Sequence, residues 1–358
     1  MLVLGIESSC DETAAAVVRD GREILSSVIS SQIDIHRKWG GVVPEIASRE
    51  HLDKIDSIVR RSITEAEVEL TDIDAIAVTQ GPGLIGSLLV GVCYAKAMAF
   101  ALDKPIVGVN HIEGHVYSVN FENPPVQYPA LALIVSGGHT NIFHILSEGQ
   151  YKVVSRTRDD AAGEAFDKAA KMLGLGYPGG PIIERIAKNG VAGKVRFPLA
   201  KISDGRPDLS FSGLKTALAR YIRENQIVPA VDEMNVSQEV SDIALGFQTA
   251  VINALTSRMS RLSLELGPRT LLVAGGVACN LALQKECSAL AEKLGLPVYF
   301  PSKHLSTDNA AMIAAAGFAE LKAGKRAELN MTADISMRLQ NVDNEEDALR
   351  ASHVKYRL

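Results

Sequence analysis

His111 and His115, four residues apart in Val109-Asn110-His111-Ile112-Glu113-Gly114-His115, have the spacing best suited to chemistry. If a helix carries them, both imidazoles fall on one face and can meet a single metal ion. Two ordinary helix histidines are the plain alternative. A zinc-protease reading needs a glutamate directly after the first histidine. Ile112 stands there, and Glu113 falls on another side of the turn, so the spacing argues against peptide hydrolysis. A third ligand is available at Asp308, in Ser306-Thr307-Asp308-Asn309, which opens an Ala-rich helix. There a carboxylate serves either as a helix N-cap or as a metal ligand.

A second kind of chemistry is written in turns. Leu2 to Ile6 reads as a strand, Glu7-Ser8-Ser9-Cys10-Asp11-Glu12-Thr13 as a polar turn, and Ala14 to Val18 as the returning strand. Small hydroxyl residues in such a turn can point backbone N–H groups at an oxyanion. The pattern recurs with strand Ala130 to Val135, turn Ser136-Gly137-Gly138-His139-Thr140 and strand Asn141 to Leu146. Two similar hairpins some 130 residues apart predict a duplicated α/β fold with one phosphate loop in each half. A third glycine-rich turn, Gly275-Gly276-Val277-Ala278-Cys279-Asn280, follows strand Thr270 to Ala274 and precedes a helix. That arrangement lets a flat base or ribose lie on the main chain.

Other elements must hold these turns in place. The apolar run from Lys104 to Val109 predicts a short strand leading into the histidines. Pro44 starts a helix whose Leu52, Ile55, Ile58, Val59 and Ser62 share one side. Ile73 to Val78 is a strand, and Gly81-Pro82-Gly83 enters the apolar stretch Leu84 to Leu102. That stretch raises a membrane span, but Lys96 interrupts it, and a buried α/β helix is the better reading. Linker composition at Asn123 to Pro129 places the boundary between halves 1–124 and 130–325, with 326–358 as a tail. Beyond it, Ala161 to Leu173 is a helix with Glu164, Asp167, Lys168 and Lys171 on its polar side. Asp167 is there either for an i,i+4 pair with Lys171 or for a site. Gly176 to Pro181 brings backbone close to a neighbour, and a long helix runs from about Ser241 to Leu266. Ser212-Gly213-Leu214-Lys215 matches the S-x-x-K of penicillin-binding enzymes, but no S-D-N companion exists and the match is discarded.

Bulk properties narrow the classes. The 358 residues are 47% hydrophobic and 22% charged, which suits a globular chain with room for two domains. A net charge of −5 supplies no global field toward nucleic acid. Contact with nucleic acid must use local groups such as His36-Arg37-Lys38, Arg60-Arg61 or Lys322 to Arg326, which otherwise read as solvated faces. Cys10, Cys93, Cys279 and Cys287 are widely spaced, as expected of reduced thiols. With no basic segment or cleavage site after Met1, the expected location is the cytoplasm.

These motifs together resemble one family. They are the residues from Gly5 to Thr13, the H-x-E-G-H at 111–115, Val135 to Thr140, Asp160 to Asp167, Tyr177 to Pro181, Phe211 to Thr216, Ala274 to Asn280 and Thr307 to Asn309. The family is the bacterial TsaD type of tRNA N6-adenosine threonylcarbamoyltransferase, and the resemblance spans roughly residues 2 to 325. The tail departs from it, with Ile335-Ser336-Met337-Arg338 and the acidic Asn341 to Asp347 where the family often ends in Arg-Pro-Arg-Trp. The resemblance implies an actin/hexokinase/Hsp70 fold of two α/β halves. It implies one iron or zinc ion held by His111, His115 and Asp308, and a substrate site comprising Ile134, Val135, Ser136, Gly137, Gly138, Asp167, Gly180 and Asn280. The implied reaction moves threonylcarbamoyl from threonylcarbamoyl-AMP to N6 of adenosine 37 in tRNAs reading ANN codons, with TsaB and TsaE as partners. Asp11 is the candidate proton acceptor, although an Asp in a polar turn can instead bind water or a backbone N–H. A metalloprotease and an ATPase or sugar-kinase relative remain as competing classes.

Overall fold

A computed structural model describes residues 1–199, 202 and 206–342. The acidic tail residues after Val342 lie outside the described residues, as does part of the 200–205 segment. In chain order the first elements are β1 (Leu2–Glu7), β2 (Glu12–Arg19), β3 (Glu23–Ser31), α1 (Ile33–Arg37) and α2 (Pro44–Glu65). Next come β4 (Ala75–Gly81), α3 (Ile85–Leu102), β5 (Ile106–Asn110) and α4 (His111–Ser118). The second half holds β6 (Ala130–Val135), β7 (Thr140–Ser147), β8 (Gln150–Arg156), α5 (Ala162–Met172), α6 (Gly179–Ala187), α7 (Ser212–Glu224) and α8 (Gln238–Leu266). It closes with β9 (Thr270–Ala274), α9 (Leu281–Leu294), β10 (Val298–Tyr299), α10 (Lys303–Ser306) and α11 (Ala310–Lys322).

The two sheets repeat one plan. Their strand orders are β3-β2-β1-β4-β5 and β8-β7-β6-β9-β10. In each, the first three strands form an antiparallel meander and the first strand also pairs in parallel with the fourth. Both polar turns therefore lie at corresponding corners, after β1 and after β6.

Alternation along β1 sends Val3 to one face of its sheet and Leu4 and Ile6 to the other, and both faces are covered. On the Leu4 side lie Ile55, Ile58 and Val59 of α2 with Val92, Ala95 and Ala99 of α3. Thus α3, which is long and apolar enough to cross a membrane, packs one side into this core. Leu52 departs from the expectation for α2: it stays 68% exposed, and His51 is the buried residue beside it. Periodicity gives a side chain's direction but not what stands opposite.

The halves exchange helices. α4, which leaves the first sheet, places Ile112 and Val116 against Ala130, Ala132 and Ile134 of β6. α11, which the sequence assigns to the second half, packs Ala310 to Ala316 against β1, β2, β4 and β5 of the first. This approach depends on Gly5, where an added Cβ would stand 2.2 Å from Ala310 O. Together the exchanged helices bring the ends of α4 and α11 into the space between the sheets.

Candidate active site

α4 starts where the sequence requires. Asn110 caps it, its side chain accepting from Ile112 N at 2.9 Å. His111 and His115 are both buried, with ring centroids 4.8 Å apart. The Asp308 carboxylate stands opposite: its Oδ1 is 3.6 Å from His111 Nε2 and 3.2 Å from His115 Nε2. Asp308 does not cap α11. Asn309 does, accepting from Met312 N at 2.9 Å, which leaves the neighbouring carboxylate facing the imidazoles. Among the described residues, His111, His115 and Asp308 form a group whose ligand atoms lie within 4.8 Å of one another.

This group fits a metal ion. Nδ1 of His115 is buried with no hydrogen-bond partner, and its buried Nε2 faces the Asp308 carboxylate at 3.2 Å. With a cation between them, the Nε2 lone pair of His115 and the Asp308 oxygen would both be coordinated. Burial alone would raise the Asp308 carboxyl, but the charges of His111 and His115 hold it well below the usual carboxylate range. Burial would lower His111; Asp308 and Glu7 outweigh it and raise the imidazole to about 9. Three protein ligands would leave positions open on an ion, as in catalytic rather than structural sites.

Several contributors escaped the sequence reading. Glu7, fully buried, places Oε2 3.1 Å from His111 Nδ1 and accepts from Thr79 Oγ1 at 2.7 Å. It thereby fixes the tautomer that points Nε2 at Asp308, the usual carboxylate–histidine support of a ligand. A glutamate ending a strand carries no sequence signal for this role. His139, in the second polar turn, comes within 6.1 Å of the His111 ring, and burial with the two other imidazoles pulls it down to about 3. On the first turn, His51 Nδ1 meets Thr13 Oγ1 at 2.7 Å and its Nε2 meets the Cys10 carbonyl at 3.0 Å. Ser8 Oγ donates to Ser87 O at 2.9 Å and Leu84 N donates to Ser9 O at 2.8 Å, so α2 and α3 carry this loop.

Asp11 is buried in that loop. Burial and the Asp11 charge push Glu12 well above the carboxylate range. Asp11 also acts across the cleft: with burial it raises Asp167 and Tyr177, both of the second half. Asp167 does not pair with Lys171. Its Oδ1 accepts from Gly179 N at 2.7 Å, at the start of α6. Burial, only partly offset by this N–H, lifts its pKa to about 6.

Ile134, Val135 and Ser136 are buried at the end of β6, and the next two residues open outward. A Cβ added at Gly137, Gly138, Gly180 or Gly276 would meet no atom within 4 Å. Bare main chain at all four positions can approach a ligand. Behind the loop, a Cβ at Gly163 would stand 2.6 Å from Ser136 O, so this glycine lets α5 press against the turn. Asn280 is more committed than its motif suggests. Its Oδ1 caps α9 through Leu283 N at 3.0 Å, and its Nδ2 donates to Gln248 Oε1 at 2.9 Å. One lone pair and one N–H remain for a ligand.

Comparison with known proteins bears on this site. Residues 23–315 match the family model described as TsaD, tRNA N6-adenosine threonylcarbamoyltransferase. Proteins of that name include one from Koribacter versatilis, 48% identical over 95% of this chain and 99% of its own length. Another, from Symbiobacterium thermophilum, is 50% identical over 93% and 95%. Among solved structures, T. kodakarensis HypF covers 90% of this chain and 48% of its own with TM-score 0.61 and 14% identity. The ROK hexokinase of Thermus thermophilus covers 90% and 100% with TM-score 0.50 and 16% identity. At such identities the structural likeness speaks to fold alone, the duplicated actin/hexokinase/Hsp70 type.

Proposed function

The chain belongs to the tRNA N6-adenosine threonylcarbamoyltransferase family, and from that premise we propose that its cleft takes threonylcarbamoyl-AMP as donor, with one divalent cation, iron or zinc, per subunit. The enzyme forms N6-threonylcarbamoyladenosine at adenosine 37 of tRNAs that read ANN codons. The exocyclic amine is a poor nucleophile because its lone pair is delocalised into the ring. Catalysis must therefore align it with the carbamoyl carbon and take its proton as the new C–N bond forms. The bond from that carbon to the phosphate oxygen breaks, and AMP leaves.

His111, His115 and Asp308 would hold the cation, which when bound supplies Lewis-acid and anchoring charge to oxygens of the donor. Glu7 keeps His111 in the ligating orientation. The open amides of Gly137 and Gly138 would hold the adenylate phosphate at the end of Ile134-Val135-Ser136. Gly180, Gly276 and the remaining polar atoms of Asn280 would lie along the nucleoside, with Asp167 accepting from its hydroxyl groups. Asp11, buried in the polar turn after β1, is the proton acceptor.

The reading takes 1–124 and 130–325 as the two halves, with α4 and α11 exchanged between the sheets, and 326–358 as a divergent tail. It places the enzyme in the cytoplasm with TsaB and TsaE type partners. An outward apolar stripe on α2 and α3, comprising Leu52, Ile85, Leu89 and Phe100, supports a protein partner there. The same helices carry the Ser8–Asp11 loop, so a partner on them would act on the site.

The observation that carries the metal assignment is the buried cluster itself, His111, His115 and Asp308 with their ligand atoms within 4.8 Å of one another. Metal analysis of the purified protein and of the His111→Ala, His115→Ala double variant tests it. The double variant should emerge metal-free with its fold intact by circular dichroism. Undiminished metal content would refute the ligand set.

A further inference from the structure

The chain has one tryptophan, Trp39. It is 60% exposed, an unusual position for the largest apolar side chain. The loop that carries it is nevertheless well anchored. Trp39 N donates to His36 O at 2.9 Å and Gly40 N to Arg37 O at 3.1 Å. His36, itself fully buried, meets Gln32 Oε1 through Nε2 at 3.1 Å and accepts from Val43 N at Nδ1 at 3.3 Å. Buried on these contacts, His36 is the loop's internal brace and not part of its surface.

The position of this loop is the second observation. Gln32 N donates to Asp11 O at 2.9 Å, so α1 rises directly from the first polar turn. Arg37 Nε donates to Tyr177 O at 3.3 Å, in the turn that leads to Gly179 and Asp167. The loop therefore spans from one half to the other at the rim of the cleft. Trp39 stands next to Arg37 and the exposed Lys38. Arg37 also pairs with Asp34 at 3.0 Å, and exposed ion pairs of this kind are weak enough to exchange for a phosphate. Arg60 and Arg61, on α2, form exposed pairs of the same kind with Asp56 and Glu65, each at 2.7 Å.

From this geometry we propose that the Arg37–Lys38–Trp39 loop is an anticodon-loop contact, Trp39 stacking on an unpaired base beside adenosine 37 while Arg37 and Lys38 meet the adjoining phosphates. The proposal rests on tRNA being the substrate of this cleft. Single-stranded bases that have been splayed from a stem are held this way, on aromatic faces flanked by cations. A base taken into the cleft leaves its neighbours unstacked, and Trp39 offers a replacement surface at the rim. Because stacking accepts any base, the contact holds the loop in place without reading sequence.

The test uses the full chain and an unmodified anticodon stem-loop of an ANN-decoding tRNA. With one tryptophan, intrinsic emission reports Trp39 alone, and the titration needs no turnover. Emission should be quenched saturably by the stem-loop. In the transfer assay with partner proteins, Trp39→Ala should raise KM for the stem-loop about tenfold or more, with Trp39→Phe much nearer the parent. Absence of quenching, or an unchanged KM in Trp39→Ala, would overturn the proposal. So would quenching produced by a partner protein and not by RNA, which would make the loop a protein contact. Failure of the transferase reading shows differently, as quenching without product in any variant.

Discussion

Replacing Asp167 by Asn should stabilise this protein and impair it at the same time. Asp167 has its pKa raised from 3.8 to about 6, because burial and the Asp11 charge outweigh the N–H donated by Gly179. At about 1.36 kcal/mol per pKa unit, holding this carboxylate ionised costs up to about 3 kcal/mol at neutral pH. The sign follows from linkage: the folded state binds the extra proton between the two pKa values. Stability from this group is thus full below 3.8 and is lost as pH rises through about 6. Asn resembles the protonated acid and keeps an oxygen for Gly179 N. Urea unfolding at pH 7.5 should show Asp167→Asn more stable by about 1–3 kcal/mol, a gain that shrinks toward zero near pH 4. An AMP titration should show affinity down about tenfold, the loss of one charged hydrogen bond. A variant less stable at pH 7.5, or a gain independent of pH, would refute the reasoning. Asp167 would then be an ordinary ionised residue of α5 whose carboxylate meets the start of α6 and is favoured by that helix's dipole.

Glu7→Gln keeps a hydrogen-bond acceptor for His111 but removes its charge. Its metal affinity, measured by chelator competition, should fall about 10–100-fold. In the parent, affinity should climb with pH up to about 9, because a proton must leave His111 for a cation to bind; the climb should level off earlier in Glu7→Gln. Gly137→Val adds a side chain where no atom stands within 4 Å. It should leave the melting temperature nearly unchanged and weaken AMP binding at least about tenfold. Gly163→Val drives a Cβ to 2.6 Å from Ser136 O, so it should lower stability by about 1–3 kcal/mol as well as AMP affinity.

What the sequence made legible was what repeats or has a fixed local period. The paired hairpins foretold two sheets of one plan, and the four-residue spacing placed His111 and His115 on one face of α4. The long helix expected from about Ser241 to Leu266 was equally plain, and α8 spans Gln238–Leu266. Contacts between distant segments were not legible. Glu7 lies 104 residues from His111, and the exchange of α4 and α11 depends on glycines whose role appears only when two elements meet. Leu52 erred for the same reason, and the Lys171 alternative for Asp167 failed with it: helical spacing names neighbours on one helix, while both residues are governed by what lies across from it.

The most direct measurement combines purified chain, threonylcarbamoyl-AMP and an unmodified ANN-decoding tRNA, with and without TsaB and TsaE type proteins, followed by nucleoside analysis. Threonylcarbamoyladenosine should form together with AMP, faster with the partners and more slowly as salt rises, since phosphate contacts release counterions. Product should vanish when His111 and His115 are both Ala. Repeated absence of product from the complete mixture would contradict the account, as would full activity in the double variant.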